Sequence, residues 1–409
     1  MNKVIITHSL IKIINYLSSF LIISYLSLKS SLDNLSIYFF LISLLNFGVL
    51  IINYGYSHTS QNYVPKLIEK KFNTDLNNFL SKHLVIIFIN SVLFTLIYVL
   101  IFNKINLSIY IFLSLYFLSL NFFFLDTFRA FNKPYIGQYV LFNQITFINL
   151  ILIIFFNKYI NINELNFIII FILSSITGVI FFILKFIKIY KLNFQFKGLI
   201  SLISYYKVNI FSSLNTLSFA FLTYFFTILL YINNLNIDVV HFNISFMFAS
   251  IVGLPLVFFN INYARKISIL FENNKFLEIQ NFTKKITIKS TILTIIAIPI
   301  VFILQSYFSN IVFNINFKDY QLIFLFLTCG IFINTLFGPN QIFLIVSNNS
   351  KLLFYINTIL LLLHIFILIN FFDISALNCS ILFMTYYLSM NIALFIIINI
   401  KYRIRIFLI

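Results

Sequence analysis

Tryptophan is absent from the chain, cysteine occurs twice, proline five times and glycine eight times, and only 9% of the 409 residues are charged. Each scarcity excludes something. A soluble domain carries about a quarter charged residues, so this chain has too few to cover a water-facing surface. Cys329 and Cys379 both fall in apolar runs, which argues against a disulfide framework and against a thiolate metal site. No Gly-rich phosphate loop and no cluster with metal-ligand spacing occurs, so a hydrolase or NTPase has no residues to rest on and no cofactor is implied. What abounds is apolar: 61% of the residues are hydrophobic, and Phe alone contributes 56. At roughly 20 residues per crossing plus a connection, the length holds about twelve membrane crossings and no sizeable water-soluble domain.

Charged residues interrupt the apolar runs, and each costs roughly 2.5–3.5 kcal/mol at the centre of a membrane helix. Dividing the chain at these interruptions gives spans at 10–28, 35–56, 84–102, 105–125, 135–156, 165–184, 208–232, 239–263, 290–313, 320–346, 352–371 and 375–399. The runs lack period-two alternation, are about twice the length of a barrel strand, and must satisfy their own backbone in lipid, so they are expected to be helices. Ser27-Leu28-Lys29 offers no small-x-small cleavage site, so the first run is expected to be a span rather than a signal peptide.

The basic residues sort by side. With the N-terminus placed in the cytoplasm, 23 of the 27 Lys and Arg residues fall on cytoplasmic segments, and only Lys29, Lys104, Lys158 and Lys318 fall outside. The positive-inside rule then places both termini in the cytoplasm. The net charge of +17 is thereby explained by topology, with anionic lipid as the partner of the basic face and no nucleic acid needed. In the absence of Trp, the interfacial anchors are expected to be Tyr98, Tyr135, Tyr231 and Tyr402.

A repeat is also legible. Tyr63-Val64-Pro65-Lys66-Leu67-Ile68 is echoed by Tyr263-Ala264-Arg265-Lys266-Ile267-Ser268, each after the second span of a six-span block. This predicts an all-α integral membrane protein of two parallel six-helix bundles, at 1–190 and 208–409, joined by a basic cytoplasmic linker at 191–207. In the first copy Val64, Ile68, Phe72, Leu76 and Leu80 recur every four residues, which predicts an amphipathic helix lying on the cytoplasmic surface.

No span contains Asp or Glu under this division, which leaves no embedded carboxylate for ion coupling, and no pair of acids has a spacing suited to acid/base work. The short external connections leave no room for a catalytic loop, so no enzyme is expected and a membrane polymerase is disfavoured. A bundle lined by uncharged polar groups suits passage of a cargo. Lys12 and Lys29 are separated by sixteen uncharged residues, too few for a full crossing, so one of them either snorkels to the headgroups or faces a cavity and meets a phosphate. Arg129 and Lys133, beside Asp126, close the fourth span as anchors or as cargo contacts. His364 lies deep in the eleventh span, as an interhelical hydrogen-bonding residue or as a relay. Pro255, Pro299 and Pro339 remove backbone donors within spans and predict kinks.

Several motifs, in order, match one family. Asn15-Tyr16-Leu17, Asn53-Tyr54-Gly55-Tyr56 followed by Tyr63-Val64-Pro65, and Phe128-Arg129-Ala130-Phe131-Asn132-Lys133-Pro134 resemble the Wzx-type polysaccharide flippases. So do Asn215-Thr216-Leu217, Gly253-Leu254-Pro255-Leu256, Ala264-Arg265-Lys266 and Gly338-Pro339 in the second half. The resemblance implies a MATE-like, V-shaped transporter of the bacterial inner membrane, in the superfamily that also holds multidrug exporters. It implies that the cargo is a polyprenyl-diphosphate-linked oligosaccharide for O-antigen or capsule, handled alongside a polysaccharide polymerase and chain-length proteins. Cationic groups are expected to meet the diphosphate, and the span-end candidates are Lys12, Lys29, Arg129, Lys133 and Lys207. An ion-coupled exporter of drugs or metabolites is the alternative within the same superfamily.

Overall fold

The computed structural model describes residues 3–69, 73–131, 133–159, 163–189, 202–313, 315–347 and 349–402, and no strand occurs among them. The chain divides into two compact units, Met1–Leu217 and Ser218–Ile409. Most of the expected linker 191–207, namely 191–201, lies outside the described residues. The first unit holds α1 (Lys3–Lys29), α2 (Leu32–Ile52), α3 (Tyr56–Glu69), α4 (Asn73–Phe102), α5 (Ser108–Ala130), α6 (Pro134–Gln138), α7 (Ile145–Tyr159) and α8 (Glu164–Ile189). Helix α9 (Leu202–Ile232) leads into the second, with α10 (Asn236–Val252), α11 (Leu254–Glu272), α12 (Phe276–Ile311), α13 (Gln321–Phe337), α14 (Asn340–Val346), α15 (Ser350–Phe371) and α16 (Ala376–Tyr402). Seven described helices are long and apolar enough to cross a membrane, and four shorter apolar helices accompany them. Together with α1 they fall on the twelve expected spans.

Local chemistry sets the helix ends. Ser31 caps α2 by accepting from the Asn34 N–H, and Asn163 caps α8 by accepting from the Asn166 N–H at 3.0 Å. Asn103, Asn234 and Asn274 follow α4, α9 and α11 with φ of 52°, 57° and 54°, a left-handed conformation Asn tolerates in the place glycine usually takes.

Three expected spans are broken. The second stops at Ile52, turns through Gly55 at φ 77°, and restarts as α3. The eighth breaks at Gly253, where Pro255 sits in the first turn of α11. The tenth breaks at Gly338, whose φ of 68° and ψ of −149° no residue with a Cβ adopts readily. The fifth carries a π-helical stretch, Tyr139–Gln144, between α6 and α7. Pro299, by contrast, sits inside an unbroken α12.

The predicted surface helix is corrected. Its apolar residues divide between α3 and α4, with 70–72 outside the described residues; Val64, Leu67, Leu76, Phe79 and Leu80 are buried, and Ile68 is exposed. Most of the described stripe therefore packs inside the first unit instead of lying on lipid headgroups. A period of four identifies a one-sided helix but does not say whether protein or lipid meets the apolar side. Tyr98 is corrected too: it is 2% exposed, against Phe102, and is no interfacial anchor.

Each unit is organised around its fourth crossing. In the first, α5 packs against α2, α3, α4 and α8; in the second, α13 packs against α10, α12 and α16. Phe124 and Phe128 of α5 stack on Phe182 of α8 at 5.5 and 5.6 Å, and such aromatic pairs add about 0.5–1.5 kcal/mol each beyond the area they bury. Asn121 donates to the Ser175 carbonyl at 2.9 Å beside Gly178, where an added Cβ would lie 2.5 Å from Asn121 Oδ1. Small residues and an amide thus bring α5 and α8 together, as in membrane helix pairs generally. The outer faces of α4, α12 and α15 expose apolar side chains such as Leu100, Ile303 and Leu362, as lipid-facing helices do.

Candidate functional site

The sequence places Asp126 in a loop, but α5 continues to Ala130 and carries it on the helix, 5% exposed. A carboxylate so enclosed needs compensating charge and donors. Arg129, one turn on, supplies them: its guanidinium donates to Asp126 Oδ1 at 3.0 Å. Ser57 Oγ on α3 donates to the same oxygen at 3.1 Å. Arg129 also occupies the last turn of α5, where a cation meets the helix dipole favourably.

The neighbouring residues extend this cluster. Thr127 Oγ1 donates to the Phe123 carbonyl at 2.7 Å, which leaves Tyr56 as the donor in their 2.7 Å contact. The Tyr56 ring stacks on His83 of α4, with Phe79 and Phe123 alongside. His83 is fully buried and its neighbour Lys82 is 4% exposed. Helices α3, α4 and α5 therefore converge on a buried patch bearing an acid, a guanidinium, an imidazole and hydroxyls. The expected loop 57–83, in which Lys82 and His83 were placed, is helical on both sides of the undescribed 70–72.

The expected site residues are dispersed. Arg129 and Lys133 lie four positions apart at the end of α5, Lys133 half-buried just before α6. Lys29, exposed, ends α1 at the opposite end of the first unit. That end is also where Lys104 pairs with Glu164 across the starts of α5 and α8. Lys12 and Lys207 lie on α1 and α9, and their side chains are outside the described residues. His364 is in the second unit, buried, its Nδ1 2.7 Å from the Leu360 carbonyl of its own helix and its ring edge-on to Tyr386 of α16.

Several polar residues join helices to one another. Asn15 accepts from Thr146 at 3.0 Å between α1 and α7, Asn53 donates to the Ser119 carbonyl at 3.1 Å, and Asn391 donates to Asn334 at 3.2 Å between α16 and α13. A second polar cluster was missed in the other unit. Asp238 accepts from the Ala376 N–H at 2.9 Å, placing a carboxylate at the start of α16. His241 stacks on Tyr320, whose hydroxyl meets Ser309 near the fully buried Gln305. The one sequence signal for either cluster is the Asp126 and Arg129 pair at i and i+3.

No model of a protein family matches the chain, and no curated protein matches it. Solved structures do. An outward-facing multidrug resistance MATE transporter of the MOP superfamily is 11% identical with a TM-score of 0.66, covering 98% of this chain and 95% of its own. A MATE protein in complex with MaL6 is 12% identical with a TM-score of 0.64, covering 97% and 95%. A MOP superfamily transporter from Pyrococcus furiosus, described by its reversed binding-pocket polarity and suggested different function, is 13% identical with a TM-score of 0.59, covering 96% and 95%. At this identity the likeness is one of fold. The chain has the multi-pass helical fold of these transporters.

Proposed function

We propose that the chain is a flippase, moving a polyprenyl-diphosphate-linked oligosaccharide from the cytoplasmic to the outer leaflet of a bacterial inner membrane for surface polysaccharide assembly. The observation that carries this reading is where the acids lie. All ten carboxylates sit in loops or within about one helical turn of a helix end, and the deepest described one, Asp126, is neutralised by Arg129. A cationic drug crossing the membrane needs a carboxylate waiting near the middle. An anionic headgroup needs the reverse: cations at the rim and uncharged polar groups beyond, while its lipid tail stays in hydrocarbon. The Pyrococcus furiosus transporter, with its reversed pocket polarity, supports the view that this fold admits cargoes of either sign.

Asp126 also favours a second reading, an ion-coupled exporter of the same fold, because a buried acid beside Arg129 is a group that a cation or proton could reach. Proteoliposomes separate the two. Defined lipid-linked oligosaccharides presented on one leaflet should become accessible on the other in a protein-dependent manner, with no drug efflux under an imposed proton or sodium gradient. Gradient-driven efflux without lipid movement would replace the flippase with the exporter. In cells, deletion should leave lipid-linked repeat units on the cytoplasmic side, stranded from the polymerase and chain-length proteins that act after them.

A further inference from the structure

Two lysines in the last turns of α8, Lys185 and Lys188, face a groove of about 490 Å³ whose other wall is Tyr135 and Ile136 of α6 and Tyr139 at the start of the π-helical stretch, with Phe181 one turn before Lys185. Lysines at a helix C-terminus are ordinary partners of its dipole and of membrane headgroups, and alone they imply nothing more. Four further features make this place different. Tyr135 and Tyr139 are 52% and 51% exposed, so two rings and two hydroxyls are presented where burial would be the favoured fate of an aromatic side chain. Gly137 between them abuts Leu125 of α5 so closely that an added Cβ would lie 2.8 Å from its Cα, which fixes the tyrosine-bearing wall against the core. The wall then runs into a π-helical stretch, a distortion that recurs at functional sites.

The fourth feature is what lies next to the lysines. Phe181, Lys185 and Lys188 share one face of α8, and the adjoining face exposes Ile180, Leu184 and Ile187 at 52%, 64% and 65%. A cationic stripe thus borders an unpartnered apolar stripe on the same helix. The Lys185 ammonium stands 5.3 Å over the Phe181 ring, held near the boundary of the two.

We infer that this groove receives the headgroup of a lipid diphosphate saccharide before translocation. Two ammonium groups match the two charges of a diphosphate diester, the tyrosine rings offer flat faces for the C–H side of a sugar and hydroxyls for its oxygens, and the apolar stripe of α8 carries the start of the lipid tail. A phospholipid shares the phosphate and the tail but has one charge and no sugar, so it leaves one lysine and both tyrosines unused. The inference rests on the lipid-linked cargo proposed above.

The test uses the full chain in phosphatidylcholine nanodiscs. A short-chain polyprenyl diphosphate disaccharide is titrated in one arm and phosphatidylglycerol in another, with binding read by native mass spectrometry. The variant Lys185→Ala/Lys188→Ala is expected to weaken the diphosphate lipid at least about tenfold, while Lys185→Arg/Lys188→Arg retains most of the affinity. Lys275→Ala, an exposed lysine paired with Glu278 on the other unit, should change nothing. Tyr135→Ala should weaken the disaccharide form but not the same lipid diphosphate without sugar. Undiminished affinity in the double alanine variant, or equal affinity for phosphatidylglycerol, overturns the inference. Flipping by the unmodified protein is measured in parallel. If it flips the lipid while the double alanine variant binds and flips as well, only the groove is refuted; if it neither binds nor flips, the proposed function falls and the groove with it.

Discussion

The ring of Tyr56 lies 3.9 Å from that of His83, the two planes tilted by 21°. Tyr56 is the first residue of α3, one position after the left-handed Gly55, and His83 is on α4. The turn at Gly55 therefore does more than end α2: it swings an aromatic residue into the gap between α4 and α5, where its hydroxyl reaches Thr127. Tyr56→Phe keeps the stack and loses the hydrogen bond, and is expected to cost about 1 kcal/mol. Tyr56→Ala removes both and leaves a cavity, for a cost of about 3–5 kcal/mol. Thermal unfolding in detergent should rank the two in that order; equal effects would mean that the ring contributes little to holding α3 in place.

Arg129 and Asp126 should be coupled. Removing one member of a fully buried ion pair costs roughly 3–5 kcal/mol; the Arg129 side chain is 31% exposed, so Arg129→Ala is expected to cost about 1–3 kcal/mol. Adding Asp126→Asn to that variant should recover part of the loss, because the stranded carboxylate is gone while Ser57 keeps an acceptor. A double-mutant cycle on unfolding free energies checks this. Strict additivity would show that the pair is a surface ornament.

The α5–α8 contact gives a packing prediction. Gly178→Ala drives a methyl group against Asn121 and should cost about 1–3 kcal/mol, while Gly253→Ala meets the side chain of Ile331 at 3.0 Å and the Ser250 carbonyl at an ordinary 3.5 Å, and should cost less. Melting temperatures of the two variants decide it.

Charge located the crossings but not the helix ends. Helices α4 and α12 have 30 and 36 residues, about 45 and 54 Å at 1.5 Å per residue, against a hydrocarbon core of about 30 Å. They continue well past the lipid, so Lys284, Lys285 and Lys289 mark where hydrocarbon stops and the helix does not. The same confusion hid the candidate cluster: Asp126 is the first charge after the run 105–125 and Lys82-His83 directly precede the run 84–102, so all three look like loop residues. The breaks at Gly253 and Gly338 were legible as Gly-Pro chemistry, although the expectation there was a kink rather than a restart. Nothing in the sequence pointed to the packing role of Tyr56 and Ser57, although Tyr56 closes the Asn53-Tyr54-Gly55-Tyr56 motif, since that role comes from which helices they meet.

The assignment of inside and outside makes its own prediction. In a background with Cys329 and Cys379 replaced, a cysteine at Asn233, in the exposed turn after α9, should react with an impermeant maleimide in intact cells. A cysteine at Asn273, in the exposed turn between α11 and α12, should react only after permeabilisation. The opposite pattern would reverse the orientation and, with it, the direction of transport.

Export itself should depend on cations that folding does not need. Lys133 sits half-buried between α5 and α6, and Lys12 lies nine residues into α1, about 14 Å from its start at 1.5 Å per residue. An anchor in the headgroup layer is worth little individually, so Lys12→Ala and Lys133→Ala should leave the amount of protein in the membrane unchanged. A cation that meets a diphosphate contributes a charge-assisted hydrogen bond of about 1.5–3 kcal/mol, so its loss should slow flipping roughly tenfold or more. Initial rates in proteoliposomes, normalised to inserted protein, measure this directly. Arginine at either position should restore the rate if charge is what matters, whereas rates unchanged by alanine at both would return the two lysines to the role of topology anchors.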